Sequence, residues 1–440
     1  MACADRVCFG LRMQLRQTIR RGLRKGAISC LLGYERVRTG QVYDPLKQSY
    51  LDDPYATFAR LRAHDPMHRS YLIGWVATSY DDVAEILKEP RFLVEARNGR
   101  NFERLRKNAI ELGFDEEQID NPSMLLSDPP RHTRLRTLVS KAFTPRKIRA
   151  MQPRMEQVVT ELLDAADADG QFELVETLAY PLPVIMICEL LGVPAEDRDR
   201  FKAWSDALAA TLGFPDGATV RRGRKAGAEL NAYLTQVVEQ RRAEPRDDLI
   251  TGLVAAEEAG DRLSTYELFN TCQLLLVAGN ETTTNLIGNG TLALLRNPKQ
   301  LQLLLDDPSL VEGAVEELLR FDPPVQFTGR IAGEDMTVGE CTVRKGQTVL
   351  VALASANRDP TQFERPDELD ITRSDVPHFS LSHGVHFCLG ASLARLEAQV
   401  AFRALAARYR SIELADADVP RSDNAVLRGV RRMQLRVERR

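Results

Sequence analysis

The stretch ELFNTCQLLLVAGNETTTNLIGNGTLALLRN, residues 267–297, is apolar on nearly every side of the helix it would form. A helix without a polar face has to be ringed by other elements, so the chain must build a large core, mainly helical, around it. With 440 residues, 44% hydrophobic against 28% charged, it has the material for that. The segment is no bilayer span, because the apolar run LLLVAG ends at the polar NETTTN, well short of the ~20 residues a crossing needs. Its centre is odd. Ala278 and Gly279 open space, and Asn280, Glu281, Thr282, Thr283 and Thr284 follow where a core helix wants leucine. The threonines could bond back to carbonyls one turn earlier and merely bend the helix. A buried Glu281 has no such outlet, since desolvating its charge is expensive without a partner.

Around this helix, helical patterns dominate from about 130 to 320, with breaks at PLP (181–183), GVPAED, GFPDG and AEPRDD. Residues 332–373 turn to short alternating runs, MTVGECTV and QTVLVAL, which predict small sheets. Upstream, YLIGWVAT reads as a strand, SYDDVAEILKEP as a helix stopped by Pro90, and 91–127 as a long irregular region. Residues 1–40 stand apart as a basic arm, with nine Arg/Lys against Asp5 and Glu35, before a domain spanning 41–440. Read as a helix, the arm sets Leu11, Leu15, Ile19 and Leu23 beside Arg12, Arg16, Arg20 and Arg24, so residues 11–25 suit peripheral contact with an anionic membrane. A disordered tail, a start at Met13, or packing on the body are the competing readings. The net charge of −3 argues against nucleic acid as a partner, and seven scattered cysteines without a CxxC pair fit a reducing cytoplasm.

One of those cysteines sits at a junction. After Cys388, Leu389, Leu393, Leu396 and Val400 fall on one helix face, which places the thiol at a helix N-terminus, where backbone N–H groups lower a thiol's pKa. Gly384 and Gly390 remove side chains on either side, letting a flat ligand lie against the backbone. A free cysteine buried as a small hydrophobe is the plainer alternative.

The wider segment HFSLSHGVHFCLGASLAR resembles the haem-binding loop of the cytochrome P-450 family, bacterial soluble branch. The resemblance implies that Cys388 is the axial ligand of haem b (iron protoporphyrin IX), that His386 meets a propionate, and that Ala278, Gly279 and Gly390 lie against the cofactor. AGNETT is similar to the family's oxygen-activation motif, with Glu281 and Thr282 as the acid–alcohol pair that relays protons. EELLR resembles the ExxR core pair, Glu317 and Arg320; FDPPVQFTGRIA supplies Arg330, and LLSDPPRHTRLRTLVSKAFTPR supplies His132 and Arg136, as further propionate partners. ANRDP, 356–360, matches another signature, and the resemblance runs from about residue 50 to the C-terminus.

Three departures mark this chain. Leu381-Ser382 stands where the family has Phe-Gly. Pro366-Asp367-Glu368-Leu369 lacks the arginine that often completes the ExxR network, for which Arg365 or Arg373 could substitute. The basic arm has no counterpart in the shorter soluble members.

The resemblance implies a triangular fold, mainly α (α+β), with a large helical portion and small β-sheets. It implies a monomeric, cytoplasmic monooxygenase that inserts one oxygen atom from O2 into an apolar small molecule, with electrons from a ferredoxin and its ferredoxin reductase. The donor would dock on the cysteine side, near Arg134, Lys141 and Arg395. Residues 91–112, Leu275, Ala278, Val325 to Phe327 and Val430 would wall the pocket, with Gln326 as a hydrogen-bonding handle. A peroxide-driven haem oxygenase and a non-catalytic haem-binding or gas-sensing protein are the alternatives. Peroxide arrives already reduced and would not require the Glu281–Thr282 relay.

Overall fold

A computed structural model describes residue 26 and residues 28–440, except 112–113, 115, 167–169, 195–196 and 259–262. The basic stripe of residues 11–25 lies outside the described residues. We label the helices that build the site α1 (Arg131–Ser140), α2 (Pro181–Leu191), α3 (Arg198–Ala209), α4 (Gly217–Ala243), α5 (Thr265–Arg296), α6 (Val311–Phe321) and α7 (Ala391–Arg408).

The apolar stretch forms the 32-residue α5, started by a capping box in which Ser264 and Glu267 satisfy each other's backbone N–H. It is ringed as its composition demands, packing against α2, α3, α6 and α7. Leu268, Leu276, Leu286, Ile287 and Leu292 are each at most 1% exposed. Each such side chain contributes roughly 1.5–3 kcal/mol by leaving water. The PLP segment, read from sequence as a break, instead opens α2: Pro181 stands in the first turn, where its missing N–H costs nothing.

Short strands flank the helical body. A five-stranded sheet runs in the order β1-β2-β8-β5-β3 (β1 Met67–Ser70, β2 Gly74–Ala77, β3 Phe92–Leu93, β5 Thr328–Ala332, β8 Thr348–Val351), with only β2 and β8 parallel. Arg330 pairs with Val349 in its register. A three-stranded sheet joins β4 (Gln171–Glu173), β10 (Gln434–Arg439) and β9 (Tyr409–Leu414), and β6 (Met336–Val338) pairs with β7 (Cys341–Val343) as a hairpin. The fold is mainly α with small sheets. The 91–112 region is less irregular than its sequence suggests, because it holds β3 and a helix over Phe102–Glu111 that buries none of its residues.

The end of the basic stretch is tied to the body. Residues 28–39 are helical, and the fully buried Glu35 carboxylate accepts from Tyr43 N (2.8 Å), Tyr71 N (2.7 Å), Ser70 Oγ (2.9 Å) and His68 Nε2 (2.9 Å). His68 Nδ1 lies 2.7 Å from Asp65. Burial pulls the imidazole's pKa down, but Asp65 and Glu35 outweigh it and hold the ring above its ordinary value. A boundary at residue 40 cuts through this contact.

Candidate active site

At the centre of α5 the polar residues sort by face. Asn280 is fully buried and donates to Ser205 Oγ on α3 at 3.3 Å. The space expected at Gly279 is filled, because a Cβ there would lie 3.3 Å from Ile187 Cδ1 on α2. Ala278, by contrast, is exposed. Thr282 Oγ donates to the Ala278 carbonyl at 2.7 Å, the back-bond that threonines make in helices. Glu281 behaves otherwise. Burial pushes its carboxyl up to about 7, with Asp206 adding to the shift and Asn285 and Lys202 opposing it.

Cys388 lies two residues before Gly390, the N-cap of α7, and its backbone N–H donates to the Leu381 carbonyl at 2.8 Å. The expected lowering of the thiol pKa does not hold: burial pushes it above the ordinary value, and the Gly390 N–H, Arg136 and Arg395 only partly offset that. Gly384 has φ +67°, and a Cβ there would lie 2.5 Å from the Leu87 carbonyl, so this glycine seats the loop on the Tyr80–Lys88 helix. Gly390 is the residue with open space, nothing lying within 4 Å of where its Cβ would stand. Ser382 takes φ +60°, a left-handed conformation that suits the glycine it replaces in the family pattern.

Four groups able to carry positive charge gather beside this loop. The His132 and His386 rings are 4.4 Å apart, Arg136 Nη2 donates to the Phe387 carbonyl at 2.7 Å, and Arg330 Nη1 donates to the Gly329 carbonyl at 2.8 Å. Among the described residues no carboxylate is hydrogen-bonded to any of them. Asp128 acts on His132 and Arg330 only through space, its oxygens being taken by Val94 N, Glu95 N and Asn98 Nδ2. Burial, then Arg330, His132 and Arg136, push His386 down to about 3. With both imidazoles held below their ordinary values, the charge of the cluster is that of the Arg136 and Arg330 guanidiniums, and neither has a carboxylate partner among the described residues. The two propionates of haem b would supply it, and a flat apolar ring suits the open side of Gly390, the uncovered Ala278, and Val385 and Phe387, 50% and 40% exposed. The residues present therefore fit the group.

Behind the site, Glu317 and Arg320 are fully buried and bidentate, at 2.7 and 2.8 Å. Arg320 also donates to the carbonyls of Asn357, Pro366 and Glu368. Of the two substitutes for the missing arginine, the structure selects Arg373, whose Nε lies 3.3 Å from Glu317 Oε2. Arg365 faces outward and pairs with Glu368. Two of the basic residues expected to meet an electron donor are already engaged: Arg395 holds Glu316 at 2.7 and 2.8 Å, and Arg134 holds Glu267 at 2.5 Å. Lys141 is exposed. Gln326 makes a poor pocket handle, because Nε2 donates to the Pro323 carbonyl and Oε1 is sealed from solvent without a partner. Leu275 and Val430 are likewise covered, 7% and 5% exposed.

Glu397 escaped the sequence reading. It is 1% exposed on α7, its carboxyl oxygens have no protein hydrogen bond, and burial pushes it up to about 8 against the lowering pull of Thr283 on α5. The signal was present in the sequence. Glu397 stands four residues after Leu393, on the stripe that faces inward.

Comparison with known proteins agrees with this geometry. The family model Cytochrome P450 matches residues 94–437. Cytochrome P450 107B1 of Saccharopolyspora erythraea is 40% identical over 90% of this chain and 99% of its own. Cytochrome P450 monooxygenase PikC of Streptomyces venezuelae is 41% identical over 90% of this chain and 93% of its own. The ligand-free crystal structure of Mycobacterium smegmatis CYP164A2 superposes with a TM-score of 0.82 at 42% identity, covering 89% of this chain and 98% of that one. A match along so much of each chain, on a site shaped for a haem, leaves one conclusion: the protein belongs to the cytochrome P450 family of haem monooxygenases.

Proposed function

We propose that this enzyme hydroxylates or epoxidises an apolar small molecule with O2, taking electrons from an external ferredoxin and its reductase in the cytoplasm, and that residues 11–25 touch an anionic membrane surface. The observation that carries the catalytic reading is the placement of Glu281 next to Thr282 at the centre of the core helix α5, where burial holds its carboxyl well above the usual carboxylate range. Cys388 would hold a haem b through its thiolate, and the cofactor so held would supply the electron-rich iron that activates O2. His132, Arg136, Arg330 and His386 would hold its propionates. Glu317, Arg320 and Arg373 fix the backbone that leads to the thiolate. A carboxyl raised toward neutrality by burial is suited to give and regain a proton, which is the part assigned to Glu281. Thr282 rests on the Ala278 carbonyl, and passing a proton onward requires it to exchange that bond.

Two variants test the reading. Cys388→Ser should abolish the carbon monoxide band of the reduced protein; an unchanged spectrum would assign the ligand elsewhere. Thr282→Ala should keep haem and substrate binding but send electrons to peroxide instead of product, and normal coupling would remove the relay. Turnover fully supported by peroxide and indifferent to ferredoxin would replace the proposal with a peroxygenase.

A further inference from the structure

We propose that Glu316 is a positioning residue for the haem reaction: it holds Arg395 behind the Cys388 loop and offsets its charge, so that the pair sets the reduction potential of the iron. This role presupposes Cys388 as the iron's ligand, and it belongs to a glutamate that neither the proton relay nor the buried Glu317–Arg320 pair uses. Glu316 stands on α6, next to Glu317, and α6 packs against α7. Arg395 Nε donates to one Glu316 oxygen at 2.7 Å and Nη2 to the other at 2.8 Å, two parallel bonds with the arginine side chain 31% exposed and the glutamate 28%.

The loop leading to the cysteine closes the arrangement. His378, its side chain 3% exposed, sets Nε2 3.3 Å from a Glu316 oxygen, while its Nδ1 accepts the Ser380 N–H at 3.2 Å. A ring nitrogen that accepts carries no proton, so the proton of this imidazole sits on Nε2 and a neutral ring donates it to Glu316. Ser380 Oγ donates to the Leu319 carbonyl at 2.6 Å, which pins the loop to α6 a second time. Burial pushes the Glu316 carboxyl up, but the bonds from His378 and Arg395 outweigh it and hold the group down at about 2, so it is ionised. The charges then cancel: one negative on Glu316, one positive on Arg395, none on His378.

Arg395 acts on the sulfur through space. It stands in the second turn of α7, after the N-cap Gly390, and helical side chains lean back toward the N-terminus, here toward the cysteine. Its charge is felt at Cys388, as is that of Arg136. The two cations differ in one respect. Arg136 donates to the Phe387 carbonyl and has no carboxylate hydrogen-bonded to it among the described residues, whereas Arg395 is matched by Glu316. A cation near the sulfur favours the electron added to the iron and raises the potential, and an anion opposes it. By cancelling Arg395, Glu316 keeps the sulfur electron-rich, as second-shell partners of a metal ligand do.

Dye-mediated redox titration of the haem-loaded, full-length protein, free of substrate and at low salt, measures the potential. Glu316→Gln leaves Arg395 unmatched and should shift the one-electron equilibrium toward ferrous iron at least about threefold, which is about 28 mV. Arg395→Gln leaves Glu316 unmatched and should shift it about as far the other way. The double variant should return close to the wild-type value. A merely structural role would not produce opposite signs, because loosening the loop would move both single variants alike. Single variants that move together, or do not move, would overturn the proposal. If Glu316→Gln fails to hold haem, Arg395→Gln decides alone, and a potential unchanged or raised would overturn it. The carbon monoxide band of the reduced wild type tests the premise separately: its absence would refute the cysteine ligation and this role with it, whereas a normal band with unmoved potentials would refute only the part given to Glu316.

Discussion

Replacing Arg373 by methionine should destabilise the protein by about 2 kcal/mol, whereas Arg365→Met should cost less than about 0.5 kcal/mol. The difference follows from where the two arginines end. Arg373 Nε lies 3.3 Å from a Glu317 oxygen, with the glutamate fully buried and the arginine side chain 14% exposed. At an effective dielectric of about 20 the gross attraction at that separation is about 5 kcal/mol. Much of this is offset by desolvation, because Arg373 Nε makes no hydrogen bond to Glu317 and acts on it by charge alone, and Glu317 would keep its donors, the two nitrogens of Arg320 and the Asp370 N–H at 2.9 Å. A net of about 2 kcal/mol remains. The Arg365–Glu368 pair is 57% and 62% exposed and is screened by water. Arg320→Met should be the worst of the set, about 3–5 kcal/mol, because it strands a buried carboxylate. Denaturant unfolding followed by far-UV dichroism, with haem absorbance as a second probe, gives the three values. Equal costs for Arg365→Met and Arg373→Met would refute the assignment of Arg373 to the buried network.

Ser382→Gly should stabilise the protein by about 1 kcal/mol, since Ser382 holds φ +60° where a Cβ is strained; thermal unfolding that shows no gain would remove strain as the issue. Glu397, raised to about 8, binds a proton in the folded state that the unfolded chain releases at ordinary carboxylate pH, so its contribution makes stability fall as pH rises from about 4.5 to 8 and level off above. Glu397→Gln should remove that part of the slope, with a gain of several kcal/mol above pH 8, measured as unfolding free energy against pH. Unchanged slopes would place the carboxyl in a more polar setting than the structure shows.

The parts of the site that were legible in the sequence are those whose chemistry is local. Glu317 and Arg320 are one helical turn apart, Glu281 and Thr282 are adjacent, and the cysteine loop is continuous, so pattern alone brings their groups together. The α5 core was legible because an all-round apolar helix has only one environment in water. Contacts between distant segments were not legible. Glu35 meets His68 from 33 residues away, and Ile187 fills the space at Gly279 from another helix. The thiol pKa failed for a related reason: the helix terminus is visible in the sequence, whereas the burial that outweighs it depends on everything packed around the loop.

The Glu35 cluster bears on how the protein can be shortened or tagged. A version beginning after residue 40 would not shed an idle tail; it would remove the acceptor for two backbone N–H groups, one hydroxyl and an imidazole, and leave His68 sealed in the body with Asp65 alone. Unmade bonds to buried groups of this kind cost about 1–3 kcal/mol each. Trimming that stops short of the helix at residue 28 keeps every one of them, so the safe edge for engineering lies inside the basic stretch and ahead of its last third.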